Sequence, residues 1–227
     1  MISNNVIQSA NQAGIPNLIN FASSCVYSPK VAHPHREDDF FKSTPPVENA
    51  GYAMAKRAAA LQCNAIAAHN GYDYKTLVPC NLYGPGAQYA PSHAHLVTAT
   101  LMKAHEAQAN GAQDIEIWGD GTARREFLYV DDLAAFILNH IEDIEKWPQI
   151  LNIGYGRDTS VQEYYELAAR IAGIAEISFR YNTEAPVGVH QKRLSIVKAK
   201  RLGWMPQTSL QEGMEKTYYD LTRSLQS

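Results

Sequence analysis

The sequence is poor in cysteine and has no long apolar run and no block of one charge. Its three cysteines, Cys25, Cys63 and Cys80, form no CxxC pair and are too few for a disulfide framework, so a reducing, cytoplasmic setting is expected. No stretch of 18 apolar residues occurs, so the sequence predicts no membrane-spanning helix. The opening MISNNVIQSANQAG has no basic start, apolar core and cleavage site in sequence, so export is not expected. Lysine and arginine number 20 against 23 acidic residues, a formal charge of -3. Without a basic patch, nucleic acid and anionic membranes are not expected partners. There is also no internal repeat or low-complexity tract. What is present is 227 residues of ordinary globular composition, 45% hydrophobic and 19% charged, enough for one substantial core or two lobes.

The pattern along the chain alternates helix and strand. Val6, Ala10 and Ala13 mark a helical stripe closed by Gly14 and Pro16, and NLINFASS follows as a short buried strand. Segment 28–50 is polar and proline-bearing, a loop, and a helix from Tyr52 to Asn70 leads into the strand YKTLVPCNLYG. Beyond Pro85 come a helix over His95–Asn110, the strand DIEIWG, a DGT turn, and REFLYVDDLAAFILNHIE as strand into helix, with Asp131 or Asp132 as its cap. The last third reads as strand ILNIGYG, helix 160–173, strand EISFRY and a final helix opened by the capping-box-like SLQE at Ser209. This alternation predicts an α/β fold, a parallel sheet flanked by helices with functional residues at the carboxyl ends of its strands.

Within GYAMAKRAAA, Tyr52 and Lys56 are four apart and share one helix face. An ammonium beside a phenol favours phenolate, which suits Tyr52 to proton transfer near neutrality. The same spacing also arises by chance on solvated helices, so neighbouring residues decide its meaning.

Those neighbours are SSCVY at 23–27, YAMAK at 52–56, PCNLYGP at 79–85, PSHAHL at 91–96, WGDGTARREFLYVDDLA at 118–134 and LGW at 202–204. In this order and spacing the chain resembles the extended short-chain dehydrogenase/reductase family, and within it the branch of epimerase-reductases acting on GDP-4-keto-6-deoxymannose. The resemblance implies an incomplete Rossmann-like sheet with a smaller mixed α/β substrate lobe. Residues 1–85 would be the remainder of an NADP-binding domain, and residues 86–227 mainly the substrate lobe, with 126–158 returning to the first.

The resemblance also implies roles. Tyr52 would protonate the oxygen at C4 as hydride arrives from NADPH, Lys56 would hold the nicotinamide ribose, and Ser23 would hydrogen-bond the same oxygen. Cys25 and His95 would exchange protons at C3 and C5 on opposite sugar faces; a thiol near 8.5 and an imidazole near 6.5 both suit this. Phe21, Ala22, Ser23, Ser24, Lys56, Pro79, Cys80, Asn81, Leu82 and His95 would line the cofactor. Asn81, Lys103, Trp118 and Arg125 would contact the nucleotide-sugar. A homodimer is implied. Without the resemblance, Cys25 reads as packing, Trp118 as core and Arg125 as a surface charge.

Three departures stand out. The branch has an acid near Val187, an arginine near Gln191 and an aspartate near Ser195, so contacts to the nucleotide differ here. The family's GxxGxxG turn, which lets backbone approach a pyrophosphate, is absent from the sequence. The expectation is a chain truncated at its N-terminus, or one whose cofactor lobe comes from a partner, with activity impaired. The alternatives are an inactive fragment and a different sugar-nucleotide epimerase or dehydratase. The pairs His33/His35 and His93/His95 lack supporting ligands at metal-site spacing, so no metal is expected. Glu37, Asp38 and Asp39 read as a solvated acidic run.

Overall fold

Gly14, Pro16 and Gly71 punctuate the first 80 residues, and the backbone turns at each: Gly14 has φ +70° and Gly71 φ +71°. The computed structural model describes residues 2–89 and 94–226. In chain order the elements are α1 Ile2–Gln12, β1 Asn17–Phe21, α2 Ala50–Asn70, β2 Asp73–Pro79, β3 Asn81–Tyr83, α3 Leu96–Asn110, β4 Asp114–Trp118, β5 Arg124–Arg125, β6 Phe127–Tyr129 and α4 Val130–His140. They continue with β7 Ile150–Ile153, β8 Thr159–Ser160, α5 Val161–Ile171, β9 Ser178–Asn182, β10 Gln191–Lys192, α6 Val197–Arg201 and α7 Leu210–Ser224. Two compact units result. The first comprises Met1–Asn81, Leu133–Gly156 and Arg193–Met205; the second, Leu82–Asp132, Arg157–Lys192 and Pro206–Ser227.

The first unit is built on a sheet ordered β1-β2-β7, parallel throughout. Strand β2 is buried along Tyr74–Pro79 and β7 along Leu151–Ile153, whereas in β1 only Asn20 is buried and Phe21 is exposed. Ile7 of α1 packs with Ala59, Cys63 and Ile66 of α2 and with Tyr74. This corrects the expected stripe: Val6 is 57% exposed and Ile7 2%. The larger side chain one position on takes the inward face of α1. The single strand expected over YKTLVPCNLYG is also two. Cys80 N–H bonds Ile153 O at 2.9 Å, after which Asn81–Tyr83 pairs with β6 rather than β7.

The acidic run is not solvated throughout, contrary to expectation: Glu37 faces inward. Asp38 is exposed, but Glu37 is buried and accepts Asn152 N–H at 3.1 Å. Asn152 in turn accepts the Tyr27 hydroxyl at 2.7 Å and donates to His35 O at 3.0 Å. The His35 ring stacks on Tyr27 with centroids 5.1 Å apart. Lys198 lies 3.9 Å from Glu37 and 2.9 Å from Asp38. Burial raises the Glu37 pKa above its ordinary value against the opposing pull of these hydrogen bonds and Lys198.

The native protein holds the Glu37 proton to a higher pH than the unfolded chain does. Stability from this site is therefore full below about pH 4.3 and declines as pH rises through the raised native value. Glu37→Gln keeps an oxygen for Asn152 N–H and removes the titration. The variant is expected to show a flatter dependence of Tm on pH above about pH 4.3, measured by thermal denaturation; an unchanged slope contradicts the assignment.

The second unit has its own core, in which Val97, Leu101 and Ala104 of α3 meet Tyr164, Tyr165 and Ala168 of α5 and Met214 and Leu221 of α7. Strands β4 and β9 pair in parallel, and β5 pairs with β10 in parallel and β8 antiparallel. Ser160 and Glu163 form a complete capping box on α5, worth about 1 kcal/mol. On α7, Ser209 accepts Glu212 N–H at 3.2 Å, while the Glu212 carboxylate pairs with Lys216 at 2.9 Å. The expected cap of α4 is corrected: Asp132 accepts Gln207 N–H, Thr208 N–H and the Thr208 hydroxyl at 3.0, 3.0 and 2.8 Å. Its carboxylate ties down the turn before α7 instead of its own helix.

Candidate functional site

In the first unit, β1 ends at Phe21 and the chain continues directly into the serine-serine-cysteine turn. Ser23 caps a short 3-10 turn over Ser24–Val26, its hydroxyl accepting Cys25 N–H at 3.3 Å. Cys25 is half-buried, whereas Cys63 and Cys80 are buried. Ser24 is 1% exposed and its hydroxyl has no hydrogen-bond partner among the described residues. The next strand, β2, ends on the buried Pro79 and Cys80, followed by half-buried Asn81 and Leu82.

Helix α2 brings its cation to the same end of β1. Lys56 Nζ donates to Phe21 O at 2.7 Å and lies 5.7 Å from the centroid of the Tyr52 ring, and Tyr52 itself is 51% exposed. The i, i+4 spacing does what the sequence predicts geometrically: one helix face carries a solvent-accessible phenol and an ammonium held in place by main chain. An ammonium has three donors, and Phe21 O takes one. The two others suit the vicinal hydroxyls of a ribose, so the residues present fit the nicotinamide-ribose end of a dinucleotide.

In the second unit, His95 is exposed and occupies the position before α3, its carbonyl accepting Ala99 N–H at 2.8 Å. With Leu82, Gly84, Gly86, Thr98 and Val130 it lines a cavity of about 310 Å³. Gly84 has φ +156°, and a Cβ there would lie 2.6 Å from Val130 Cγ1, so only glycine permits this approach. The rim is anchored by Asp220 of α7, which accepts Gly86 N–H at 2.8 Å and the Tyr89 hydroxyl at 2.6 Å. These bonds hold the Asp220 pKa below the ordinary carboxylate value. Pro91, Ser92 and His93 lie outside the described residues, so the His93/His95 pair does too.

The expected nucleotide contacts fall into two groups in this unit. Lys103 Nζ donates to Glu116 O at 2.8 Å and sits 5.5 Å from the Tyr165 ring and 5.7 Å from the Trp118 ring. Burial lowers its pKa. Trp118 is 54% exposed, which corrects its reading as core, and its indole N–H donates to Glu116 Oε1 at 3.1 Å. A flat exposed ring beside a cation can stack on a base while the ammonium meets a phosphate. Arg125 is not a free surface charge: it donates to Val187 O at 2.8 Å and Arg124 O at 2.8 Å. Gln191 shares Asp158 with Arg124, whose Nε lies 2.9 Å from that carboxylate. Sequence reasoning missed Asp158, Asp220 and Asn152, because each acts through partners at least 33 positions away.

A family model described as the NAD dependent epimerase/dehydratase family matches residues 1–154. The chain belongs to that family. Among epimerase/dehydratase relatives, it is 40% identical to GDP-L-fucose synthase of Azorhizobium caulinodans, over 94% of this chain and 68% of that protein. It is 36% identical to GDP-L-colitose synthase of Yersinia pseudotuberculosis, over 94% and 69%. In three dimensions it resembles GDP-mannoheptose C4 reductase from Campylobacter jejuni, solved with NADP bound, with a TM-score of 0.87 at 25% identity over 97% of this chain and 74% of the other.

Proposed function

We propose that this protein is an NADPH-dependent epimerase-reductase that converts GDP-4-keto-6-deoxymannose to GDP-L-fucose. The observation that carries the reading is the half-exposed Tyr52 on the same helix face as a Lys56 whose ammonium bonds Phe21 O at 2.7 Å, in a chain 40% identical to a GDP-L-fucose synthase.

The C4 ketone acidifies the protons on C3 and C5, because the carbanion at either carbon delocalises into an enolate. Cys25 and His95 exchange those protons, one as base and one as acid, so that each carbon is reprotonated from the face opposite to removal. NADPH, when bound, supplies hydride to C4. Tyr52 then gives its proton to the C4 oxygen, Ser23 donates a hydrogen bond to that oxygen, and the Lys56 ammonium stabilises the phenolate left behind. Lys56 and Phe21, Ala22, Ser24, Pro79, Cys80, Asn81, Leu82 and His95 would surround the nicotinamide end. Lys103, Trp118 and Arg125, with Asn81, would take the nucleotide-sugar, Trp118 against the base. On this reading the first unit takes the cofactor and the second the nucleotide-sugar, and two copies pair as a homodimer in the cytoplasm.

The test is to supply the ketosugar and NADPH, follow NADPH oxidation, and identify the product by NMR. The reading predicts GDP-L-fucose. Turnover of UDP-hexose without net NADPH oxidation would instead place the protein with the hexose epimerases.

A further inference from the structure

Two successive cations of α2 close on main-chain carbonyls at the two ends of one short segment. Lys56 bonds Phe21 O. The next residue, Arg57, is 7% exposed and donates through Nη2 to Val26 O at 2.7 Å and Lys42 O at 3.1 Å, and through Nη1 to Ser43 O at 2.7 Å. Phe21 and Val26 bracket residues 22–25, which include Ser23 and Cys25. The hydrogen-bond partners of Arg57 among the described residues are carbonyls, not a carboxylate, and burial lowers its pKa. A buried guanidinium of this kind is tolerated only while several carbonyl dipoles converge on its planar fork. Ser43 shows the cost of that convergence: it is the one non-glycine residue with positive φ among the described residues, at +56°, and its carbonyl is one of the three. A twisted backbone at a polar residue is held by its surroundings, and here the holding contact is the Arg57 fork.

We propose that Arg57 is a positioning residue that fixes the Cys25 turn to the helix carrying Tyr52, and thereby sets the reactivity of the Cys25 thiol. Its consequence for epimerisation rests on the function proposed above; its consequence for the thiol does not. A guanidinium spans three carbonyls as a rigid plane, whereas an ammonium is a compact point charge that cannot meet all three in that geometry. Arg57→Lys thus keeps the charge and loses the fork, and Arg57→Met keeps the stem and loses both.

The experiment is alkylation of the full chain by iodoacetamide, read at each cysteine by mass spectrometry across a pH series. Cys63 and Cys80, both buried, serve as internal reports on the fold. In the native protein Cys25 is expected to react first. In Arg57→Lys its rate is expected to change by about fivefold or more, with a displaced pH profile, while Cys63 and Cys80 stay protected. A Cys25 rate and pH profile within about twofold of native in both variants overturns the proposal. So does equal acceleration at all three cysteines in Arg57→Lys, since that outcome describes a general stabiliser. If Arg57→Met exposes every thiol, Arg57→Lys alone decides. With the ketosugar, Arg57→Lys is expected to lose about tenfold in kcat for C3 and C5 inversion with KM little changed. If the native chain does not turn over the ketosugar, the proposed function fails and the thiol result still stands.

Discussion

Tyr52→Phe is expected to lower ketone reduction by about 10²- to 10⁴-fold, the range for removing a positioned acid, while leaving C3 and C5 proton exchange near the native rate. The substitution deletes one oxygen from a side chain already 51% exposed, so packing is barely affected. Lys56 keeps its bond to Phe21 O, which does not involve the phenol. On the proposed mechanism, what disappears is the proton that would reach the C4 oxygen as hydride arrives. Measuring NADPH oxidation beside solvent deuterium incorporation separates the two steps. Equal loss in both would mean that Tyr52 acts on folding or binding, not on reduction.

Cys25→Ser is expected to give the opposite split. Serine preserves size and hydrogen bonding, and Ser23 still accepts the N–H of residue 25. A hydroxyl, however, ionises far less readily than a thiol, whose ordinary pKa is near 8.5, so proton exchange at one of the two carbons should fall by about 10²- to 10⁴-fold. Reduction of a ketosugar already inverted at C3 and C5 should continue. Full conversion of the uninverted substrate at the native rate would remove Cys25 from the chemistry.

How much of this was legible in the sequence depends on the range of the interactions. The Tyr52–Lys56 relation is local to one helix turn, so spacing alone places both on one face. The parallel β1-β2-β7 sheet follows from alternation of helix and strand, and the Ser160 cap from four consecutive residues. Glu37 was misread because its neighbours Asp38 and Asp39 are charged, whereas its partner Asn152 lies 115 residues away. The phase of α1 is not legible in the sequence, because a three-residue stripe on an 11-residue helix does not separate Val6 from Ile7. Trp118 looked like core because tryptophan usually is, yet β4 turns it outward beside Lys103. Arg57 carries no signal at all in a run of alanines; only the folded backbone shows three carbonyls meeting at its fork.

On the proposed mechanism a thiol and an imidazole move the protons on either side of a ketone. The decisive measurement is to incubate the ketosugar in deuterium oxide without NADPH and locate deuterium by NMR with the native protein, Cys25→Ser and His95→Asn. Deuterium is expected at both C3 and C5 with the native protein, with a selective slowing in each variant. Native-rate labelling of both carbons in both variants would contradict this mechanism.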